Sequence, residues 1–173
     1  AYFDESKRNC FYGETTLIKL TGNRWEAHEE MEGVSVWRVT EDEIQTALKR
    51  VQGNSEIPEK LFLTIDSCPL TEYGFHDPNY VMVLTQDTAS MLVGNKQFNA
   101  YGTSWKSSDF EPGSPERPIH KILLQQAVLF EQLKLDHVPE GKYFLSAFPL
   151  YLKGASESPL TPVLFSYDEL GKG

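Results

Sequence analysis

Residues 61–77 carry the side chains that are best suited to chemistry in this sequence. The segment begins as an apolar run and opens into a turn-rich stretch that holds a thiol, an imidazole and several carboxylates. These groups are Asp66, Cys68, Glu72, His76 and Asp77. Because reactive and metal-binding groups are commonly carried by loops at the ends of rigid strands, we expect any chemistry of this protein to lie here.

Cysteine catalysis is the first chemistry that this segment suggests. Cys68 would act as the nucleophile and His76 as its base, in a small hydrolase or transferase. Asp66 or Asp77 would orient the imidazole. A thiolate needs a nearby positive charge, however, and the neighbouring carboxylates raise the pKa of a thiol. The sequence therefore favours an unreactive Cys68 that packs as a small apolar residue.

Metal binding is a second hypothesis for the same segment. His76 and Asp77 would share a divalent ion such as Zn²⁺, Mn²⁺ or Fe²⁺ with either Asp66 or Glu72. No fixed-spacing metal motif such as HExxH occurs, and His-Asp-Pro is also an ordinary turn sequence. We therefore hold a metal site around His76 as an alternative, and the main interpretation predicts no metal and no cofactor.

Residues 101–116 form a third candidate region, a long polar loop with aromatic anchors. Trp105 and Phe110 lie within it, and Arg117 and His120 follow at the start of a predicted helix. Aromatic side chains beside polar groups are typical of recognition surfaces. Trp105 and Phe110 would equally serve to cover the core of a sheet.

The net charge of −9 limits the partners that the protein can have. It repels phosphate backbones and anionic lipid headgroups, which argues against nucleic acid and membranes as partners. The acidic residues concentrate in two short segments that include Glu29, Glu30, Glu41 and Asp42. They form either a solvated face or a docking surface for a basic protein.

The absence of familiar motifs shapes the leading functional hypothesis. Neither GxxxxGK[ST], GxGxxG nor GxSxG occurs, so nucleotide-dependent and α/β-hydrolase chemistry lose support. We therefore expect an acidic interaction domain of the inhibitor, immunity or adaptor type that is not an enzyme. It would bind a protein partner through Glu29, Glu30, Glu41 and Asp42, or through Trp105, Phe110 and Arg117.

The length and the cysteine content of the chain indicate its number of domains and its cellular location. Its 173 residues, 40% of them hydrophobic, are enough for one globular domain over residues 1–173. Cys10 and Cys68 are too few for a disulfide scaffold, and their pairing is open. A cytoplasmic location is slightly favoured, although the start at Ala1 also fits a processed mature form. The oligomeric state is not predicted.

Hydrophobic periodicity predicts several strands and one well-defined helix. Thr40 and Glu43 form a capping box, and the apolar spacing that follows predicts a helix over residues 41–52 that ends at Gly53. Runs rich in β-branched and aromatic residues predict strands at 15–21, 33–39, 61–66, 79–85, 96–105, 142–151 and 163–167. Residues 89–93 fit either a strand or a short helix.

The longest predicted element is a second helix over residues 115–135. Ser114 would cap it, with Pro115 at its first position, and apolar residues continue along it to Leu135. Gly102 is predicted to mark a bulge in the preceding strand. Together the elements predict an α+β fold, in which a mixed or mainly antiparallel sheet packs on the long helix.

Overall fold

Two β-sheets form the framework of the structure, a computed structural model that describes residues 5–109, 116–150 and 152–171. The strands are β1 (Tyr12–Leu20), β2 (Glu26–Ala27), β3 (Ser35–Val39), β4 (Lys60–Ile65), β5 (Tyr80–Leu84), β6 (Ala100–Thr103), β7 (Val128–Phe130), β8 (Gly141–Ser146) and β9 (Val163–Phe165). The helices are a 3₁₀ helix (Glu5–Phe11), α1 (Glu41–Gln52), α2 (Gln86–Gly94), α3 (Pro118–Leu123) and α4 (Tyr167–Leu170).

The larger sheet is mixed and has the strand order β7-β6-β4-β1-β8-β9. Strands β7, β6, β4 and β1 are parallel to one another, whereas β8 and β9 are antiparallel to their neighbours. The smaller sheet has the order β2-β3-β5, with β3 and β5 parallel. The predicted α+β class with a mixed sheet is therefore confirmed.

Helix α1 has the bounds that its sequence predicts. Thr40 and Glu43 form the reciprocal capping box, and Gly53 ends the helix with a φ of 82°. Positive φ is the region in which glycine has no Cβ penalty. Ile44 and Leu48 are fully buried on the inner face of the helix, and truncating either side chain to alanine would cost about 2–5 kcal/mol.

Strand β4 lies at the centre of the larger sheet and is buried on both faces. Leu61 and Leu63 belong to a core cluster shared with Trp37 and the α1 residues, whereas Phe62 points into a second cluster with Phe130. Successive side chains of a strand face opposite sides of its sheet, so a continuous apolar run is expected where both faces are covered. β4 is thus a rigid support for the loop that follows it.

The long helix predicted over residues 115–135 is wrong. In the described part of this segment, α3 ends at Leu123, a turn closed by the hydrogen bond from Ala127 N to Leu123 O follows, and the chain then enters β7. An apolar run fits a buried helix and a buried strand equally well. Pairing of β7 with β6 covers an edge that would otherwise be open, and this tertiary contact decides the outcome.

Gly102 lies in a regular part of β6, so the predicted bulge is also wrong. It pairs with Phe62 on one side and with Phe130 on the other. A Cβ at this position would overlap the Phe62 ring and come within 2.8 Å of Leu133 Cδ1. Glycine is required here because two bulky side chains occupy the space above it.

The remaining predicted elements are placed as follows. Residues 86–94 form helix α2, which settles the ambiguity at 89–93. The strands predicted at 61–66 and 79–85 belong to different sheets, as β4 and β5. Among the described residues, the helices are too short and too polar for any of them to cross a bilayer.

Candidate metal centre

Four parallel strands of the larger sheet end at one edge, and chemically useful side chains follow them. β1, β4, β6 and β7 run in the same direction, so their carboxyl ends lie on one side of the sheet. Cys68 follows β4, Trp105 follows β6 and Glu131 follows β7. In open sheets with parallel strands, ligands bind outside the carboxyl ends. Titratable groups from distant parts of the chain therefore meet where a ligand site is expected.

The first group at this edge consists of Asp109, His120 and Glu131. Asp109 Oδ2 lies 2.5 Å from His120 Nδ1, and Glu131 Oε1 lies 3.5 Å from His120 Nε2. A carboxylate therefore flanks each nitrogen of one imidazole. The side chains are 4%, 12% and 25% exposed, respectively. Shielding of this degree strengthens electrostatic interactions among the three groups.

Backbone amides hold the Asp109 carboxylate in place. Oδ1 accepts the N–H of Ile119 at 2.9 Å, and Oδ2 accepts the N–H of His120 at 3.0 Å. These amides belong to the first turn of α3, where N–H groups have no partner within the helix. The side chain of Asp109 thus caps α3 from the preceding loop and fixes the position of His120.

Glu131 is oriented by the loop that follows β6. Its Oε1 accepts hydrogen bonds from the backbone N–H of Ser108 at 2.5 Å and from the Ser108 hydroxyl at 2.7 Å. The same oxygen faces His120. Ser108 and Asp109 are adjacent, so one short segment positions both carboxylates around the imidazole.

The hydrogen bonds around His120 assign its tautomer. A carboxylate accepts hydrogen bonds, so Nδ1 carries the proton that Asp109 receives, and Nε2 keeps its lone pair. Arg117 Nη2 lies 2.9 Å from Nε2 and donates to it. Arg117 has a φ of 30°, and its buried Nε has no hydrogen-bond partner among the described residues. The Nε2 lone pair therefore already faces a positive group.

The second group at this edge consists of Cys68, His76 and Asp136. One sulfur, one ring nitrogen and one carboxylate oxygen of these residues lie within 4.8 Å of one another. His76 Nε2 is 3.3 Å from Asp136 Oδ1, and these side chains are 22% and 10% exposed. Cys68 is half-buried. The group thus offers three different kinds of metal ligand in a sheltered position.

The surroundings of Cys68 keep its thiol protonated. Burial, followed by the nearby negative charge of Asp136, raises the pKa of Cys68 to about 12, and the thiol donates to the backbone oxygen of Pro69 at 4.0 Å. The hydrogen-bond partner of the thiol is thus a backbone oxygen, whereas a nucleophilic cysteine requires an imidazole that accepts its proton. These surroundings are those expected of an unreactive thiol and not those of a catalytic nucleophile.

The carboxylates expected beside His76 have other positions. Asp77 Oδ1 accepts the N–H of Asn79 at 2.9 Å and so forms a turn ahead of the strand. Asp66 and Glu72 are exposed. His76 meets Asp136 instead, which lies 60 residues further along the chain. A ligand that is this distant in sequence leaves no local spacing to detect.

The residues expected to bind a partner are dispersed, and several serve the fold. Glu29 forms an ion pair with Arg38 at 2.8 Å, and Glu30 is exposed. Glu41 and Asp42 lie in the first turn of α1, where acidic side chains stabilise the helix dipole.

The loop residues expected to bind a partner differ in their burial and in their contacts. Trp105 is buried, with its indole N–H donated to Tyr80 O at 2.9 Å. Arg117 lies against His120, and Phe110 lies outside the described residues.

Glu131 and Asp136 were missed by reasoning from the sequence, and Asp109 and His120 were not assigned a chemical role. One signal was available for Glu131, since it ends the apolar run of residues 127–130. Carboxylates at the carboxyl ends of buried strands are candidates for ligand sites. The prediction of a long helix hid this strand.

An open cleft of about 710 Å³ adjoins the same edge of the sheet. Trp25 and Tyr80 line it, together with residues that follow β1 and β4. The ring centroids of Trp25 and Trp105 are 6.1 Å apart, and those of Trp105 and His76 are 5.0 Å apart. Aromatic side chains thus connect the cleft to the second group.

Comparisons with known proteins give this arrangement a context. No model of a known protein family matches the chain. Cyclase-like protein 2 of Oryza sativa subsp. japonica is 36% identical to it over 83 residues, which are 46% of this chain and 29% of that protein. The matched part thus spans less than a third of the rice protein.

Three solved structures share the fold. A potential metal-dependent hydrolase with cyclase activity matches 95% of this chain and 70% of its own, with a TM-score of 0.64 and 26% identity. A predicted metal-dependent hydrolase from Bacillus stearothermophilus matches 90% of this chain and 64% of its own (TM-score 0.58, 24% identity). Isatin hydrolase A from Ralstonia solanacearum matches 94% of this chain and 62% of its own (TM-score 0.59, 17% identity).

These comparisons correct the leading functional hypothesis. The interaction domain of the inhibitor, immunity or adaptor type is wrong, because almost the whole chain has the fold of proteins named as hydrolases. The expectation that the protein is not an enzyme loses its support for the same reason, because these solved structures are named as hydrolases. The alternative with a metal site agrees better with these relatives than either the interaction domain or the cysteine-dependent enzyme.

Proposed function

We propose that this chain belongs to a metal-dependent hydrolase and that His120 and Glu131 bind its metal ion. The observation that carries the proposal is the position of the His120 imidazole between two carboxylates. Asp109 holds Nδ1, while Nε2 and Glu131 Oε1 lie 3.5 Å apart at the carboxyl edge of the parallel strands. The names of the proteins that share the fold support the same conclusion.

The distance between the two donor atoms fits a shared ion. With bonds of about 2.1 Å to each donor and a tetrahedral angle, the two donor atoms would be about 3.4 Å apart. The separation of 3.5 Å between Nε2 and Oε1 is close to this value, and an ion on Oε1 would replace the hydrogen bond that the Ser108 hydroxyl donates to this oxygen. Imidazole and carboxylate donors suit Zn²⁺, Mn²⁺ and Fe²⁺. The remaining coordination positions would be filled by solvent, by substrate or by groups outside the described residues.

Asp109 has the role of a positioning residue in this proposal. A ligating histidine usually donates its other ring N–H to a carboxylate, which sets the tautomer and makes the ligating nitrogen more basic. Asp109 accepts this proton from His120 Nδ1 and is itself held by two backbone amides. The Nε2 lone pair would therefore be presented in a fixed direction.

Arg117 would change partners when a cation binds. Its guanidinium now donates to His120 Nε2, the atom that the proposal assigns to the metal. Two cations would not share that lone pair, so Arg117 would release it. The guanidinium would then be free to bind an anionic or carbonyl oxygen of a substrate, since its donors match such groups. A metal ion in such a site acts as a Lewis acid and activates water for hydrolysis.

Metal content and turnover would test the proposal together. The full chain would be stripped with a chelator, reloaded with Zn²⁺ or Mn²⁺, and assayed with isatin and with chromogenic aryl esters. We expect hydrolysis that depends on added metal and falls at least about 100-fold in H120Q and in E131Q, because each variant loses a ligand. The matched control is H137Q, at an exposed histidine.

Two results would count against the assignment of the ligands. Turnover that survives complete removal of metal would exclude a metal-dependent hydrolase. Variants H120Q and E131Q that remain folded and keep both the metal affinity and the turnover of H137Q would exclude these two residues as ligands. Using two variants guards against a loss that reflects unfolding of only one of them.

A further inference from the structure

We propose that Cys68, His76 and Asp136 form a second metal site, which prefers Zn²⁺ to Mg²⁺ and Ca²⁺. It shares no residue with the His120 and Glu131 pair and does not depend on the hydrolase proposal. A metal bound there would join the loop after β4 to the segment after β7. Both segments border the edge of the sheet at which the first group lies.

The geometry of the three side chains is close to that of a site with bound metal. Their ligand atoms lie within 4.8 Å of one another, and His76 Nε2 is already 3.3 Å from Asp136 Oδ1. This shorter distance matches the separation of two ligands on one tetrahedral ion, about 3.4 Å. The sulfur lies within 4.8 Å of both atoms, and rotation about the Cα–Cβ bond of Cys68 is the one side-chain torsion that would bring it nearer.

The backbone brings Cys68 and His76 together through a closed hairpin. Leu70 and His76 form an isolated antiparallel bridge, and Asp77 N donates to Pro69 O at 3.0 Å. Gly74 has a φ of 76°, which a tight turn of this kind requires. The hairpin therefore fixes the spacing between the thiol and the imidazole without any metal.

Two lysines connect this hairpin and Asp136 to the rest of the fold. Lys19 Nζ donates to the backbone oxygen of Asp136 at 3.1 Å, and Lys134 Nζ donates to Gly74 O at 3.4 Å. Both contacts use main-chain oxygens, so neither occupies the carboxylate of Asp136. The side-chain ligands stay available while their backbones are held.

The donor set selects the metal. One sulfur, one imidazole nitrogen and one carboxylate oxygen suit Zn²⁺, whereas Mg²⁺ and Ca²⁺ prefer oxygen donors alone. On binding, the S–H bond of Cys68 breaks, its proton passes to solvent, and a bond forms between sulfur and the metal. Three protein ligands leave a fourth position open to water or another small ligand.

A hydrogen-bonded cluster without a metal is the competing explanation. The thiol donates to Pro69 O at 4.0 Å and the imidazole lies 3.3 Å from the Asp136 carboxylate, so each of these groups has a partner without a metal. Cobalt distinguishes the two explanations, because Co²⁺ bound to a thiolate gives a sulfur-to-metal charge-transfer absorption in the near ultraviolet. The His120 and Glu131 pair has no sulfur and cannot give this absorption.

Titration of the full chain with Co²⁺ provides the test, with Zn²⁺ competition to confirm the metal class. We expect the charge-transfer absorption in the wild type, its loss in C68S, and a decrease in Co²⁺ affinity of at least about tenfold in H76Q and D136N, since each removes a ligand. C10S is the matched control, because Cys10 is the other free cysteine. C10S and H120Q should both keep the absorption.

The contrary results are equally clear. A wild-type protein that binds Co²⁺ without a charge-transfer band, or that binds no Co²⁺, would overturn the proposal. A band that disappears in C10S and persists in C68S would overturn it as well. Loss of hydrolysis in H120Q with a retained band would leave this site standing, so failure of the two proposals can be told apart.

Discussion

His120 and Asp109 form a hydrogen bond of 2.5 Å between Nδ1 and Oδ2, although the two residues are eleven positions apart in the chain. The same carboxylate accepts the backbone N–H groups of Ile119 and His120. The side chain of Asp109, from the segment after β6, thus caps the first turn of α3 and orients an imidazole. The first turn of α3 and the orientation of the His120 ring therefore depend on one side chain.

Replacing Asp109 with asparagine should lower the metal affinity of the protein while the protein remains folded. Asparagine keeps one acceptor for the amides of α3, but its neutral oxygen is a poorer partner for Nδ1–H. Loss of such a partner typically costs about 10–100-fold in metal affinity. Zn²⁺ affinity would be measured by competition with a chromogenic chelator, in a C68S background that removes the second site. D87N, in the first turn of α2, is the control, and equal affinity in D109N and D87N would contradict the prediction.

Cys68 should react slowly with iodoacetamide near neutral pH when no metal is bound. Burial and Asp136 raise the pKa of the thiol to about 12, and only the thiolate reacts, so at pH 8 roughly one molecule in 10⁴ is reactive. The rate should rise about tenfold for each pH unit between pH 8 and 11. Mass spectrometry of the Cys68 peptide would measure it.

The D136N variant should speed this alkylation, because it removes the carboxylate that disfavours the thiolate. The increase should be confined to Cys68 and should not extend to Cys10, whose raised pKa arises chiefly from its burial. Rapid alkylation of wild-type Cys68 at pH 7 would contradict the assigned environment. A rate in D136N equal to that of the wild type would show that Asp136 does not act on the sulfur.

Sequence patterns over a few neighbouring residues predicted the elements whose ends are set by those residues. Helix α1 follows from the capping box of Thr40 and Glu43, and its end follows from Gly53. The sequence does not predict β7 because residues 128–130 are all apolar and show no alternation that would distinguish a strand from a helix. The pairing of β7 with β6 decides between the two. Such a pairing leaves no trace in the spacing of the residues themselves.

The candidate sites show the same limit. Cys68 and His76 are close in sequence, and the sequence predicts a turn-rich loop between them, which the structure shows to be a hairpin. Their third member, Asp136, comes from a segment 60 residues away from His76. Glu131 reaches His120 only because α3 ends early and β7 returns to the sheet. Identifying these partners requires the strand order, which periodicity does not supply.

The ion pair between Arg50 and Glu140 should make stability depend on pH. Arg50 Nε and Nη2 lie 2.7 and 2.6 Å from the two oxygens of Glu140, and this hydrogen bonding lowers the pKa of Glu140. A lowered pKa stabilises the fold above the pKa of the unfolded carboxyl, and the stabilisation is lost as the pH falls through the lower, folded value.

The E140Q variant isolates this contribution. It should lower the free energy of unfolding by about 1 kcal/mol at pH 7, a value reduced for the partial exposure of both side chains. The difference from the wild type should shrink below about pH 4. Urea unfolding at several pH values would measure it, with E14Q, in the exposed pair with Lys142, as the control. An equal loss in E140Q at pH 3 and pH 7 would contradict the assignment.

Substituting alanine at Gly102 should destabilise the fold, because the added methyl group would overlap the Phe62 ring and approach Leu133. Overpacking of a buried site typically costs about 1–3 kcal/mol. G94A is the matched control, since nothing outside its chain neighbours and its own helix backbone lies within 4 Å of the position that its Cβ would take. Gly94 ends α2, where alanine should be neutral or stabilising by up to about 1 kcal/mol. Urea unfolding would measure both variants. If G102A were as stable as G94A, the rings around Gly102 could move aside, and β6 would not be the tightly packed support that holds Trp105 and Asp109 at the carboxyl edge of the sheet.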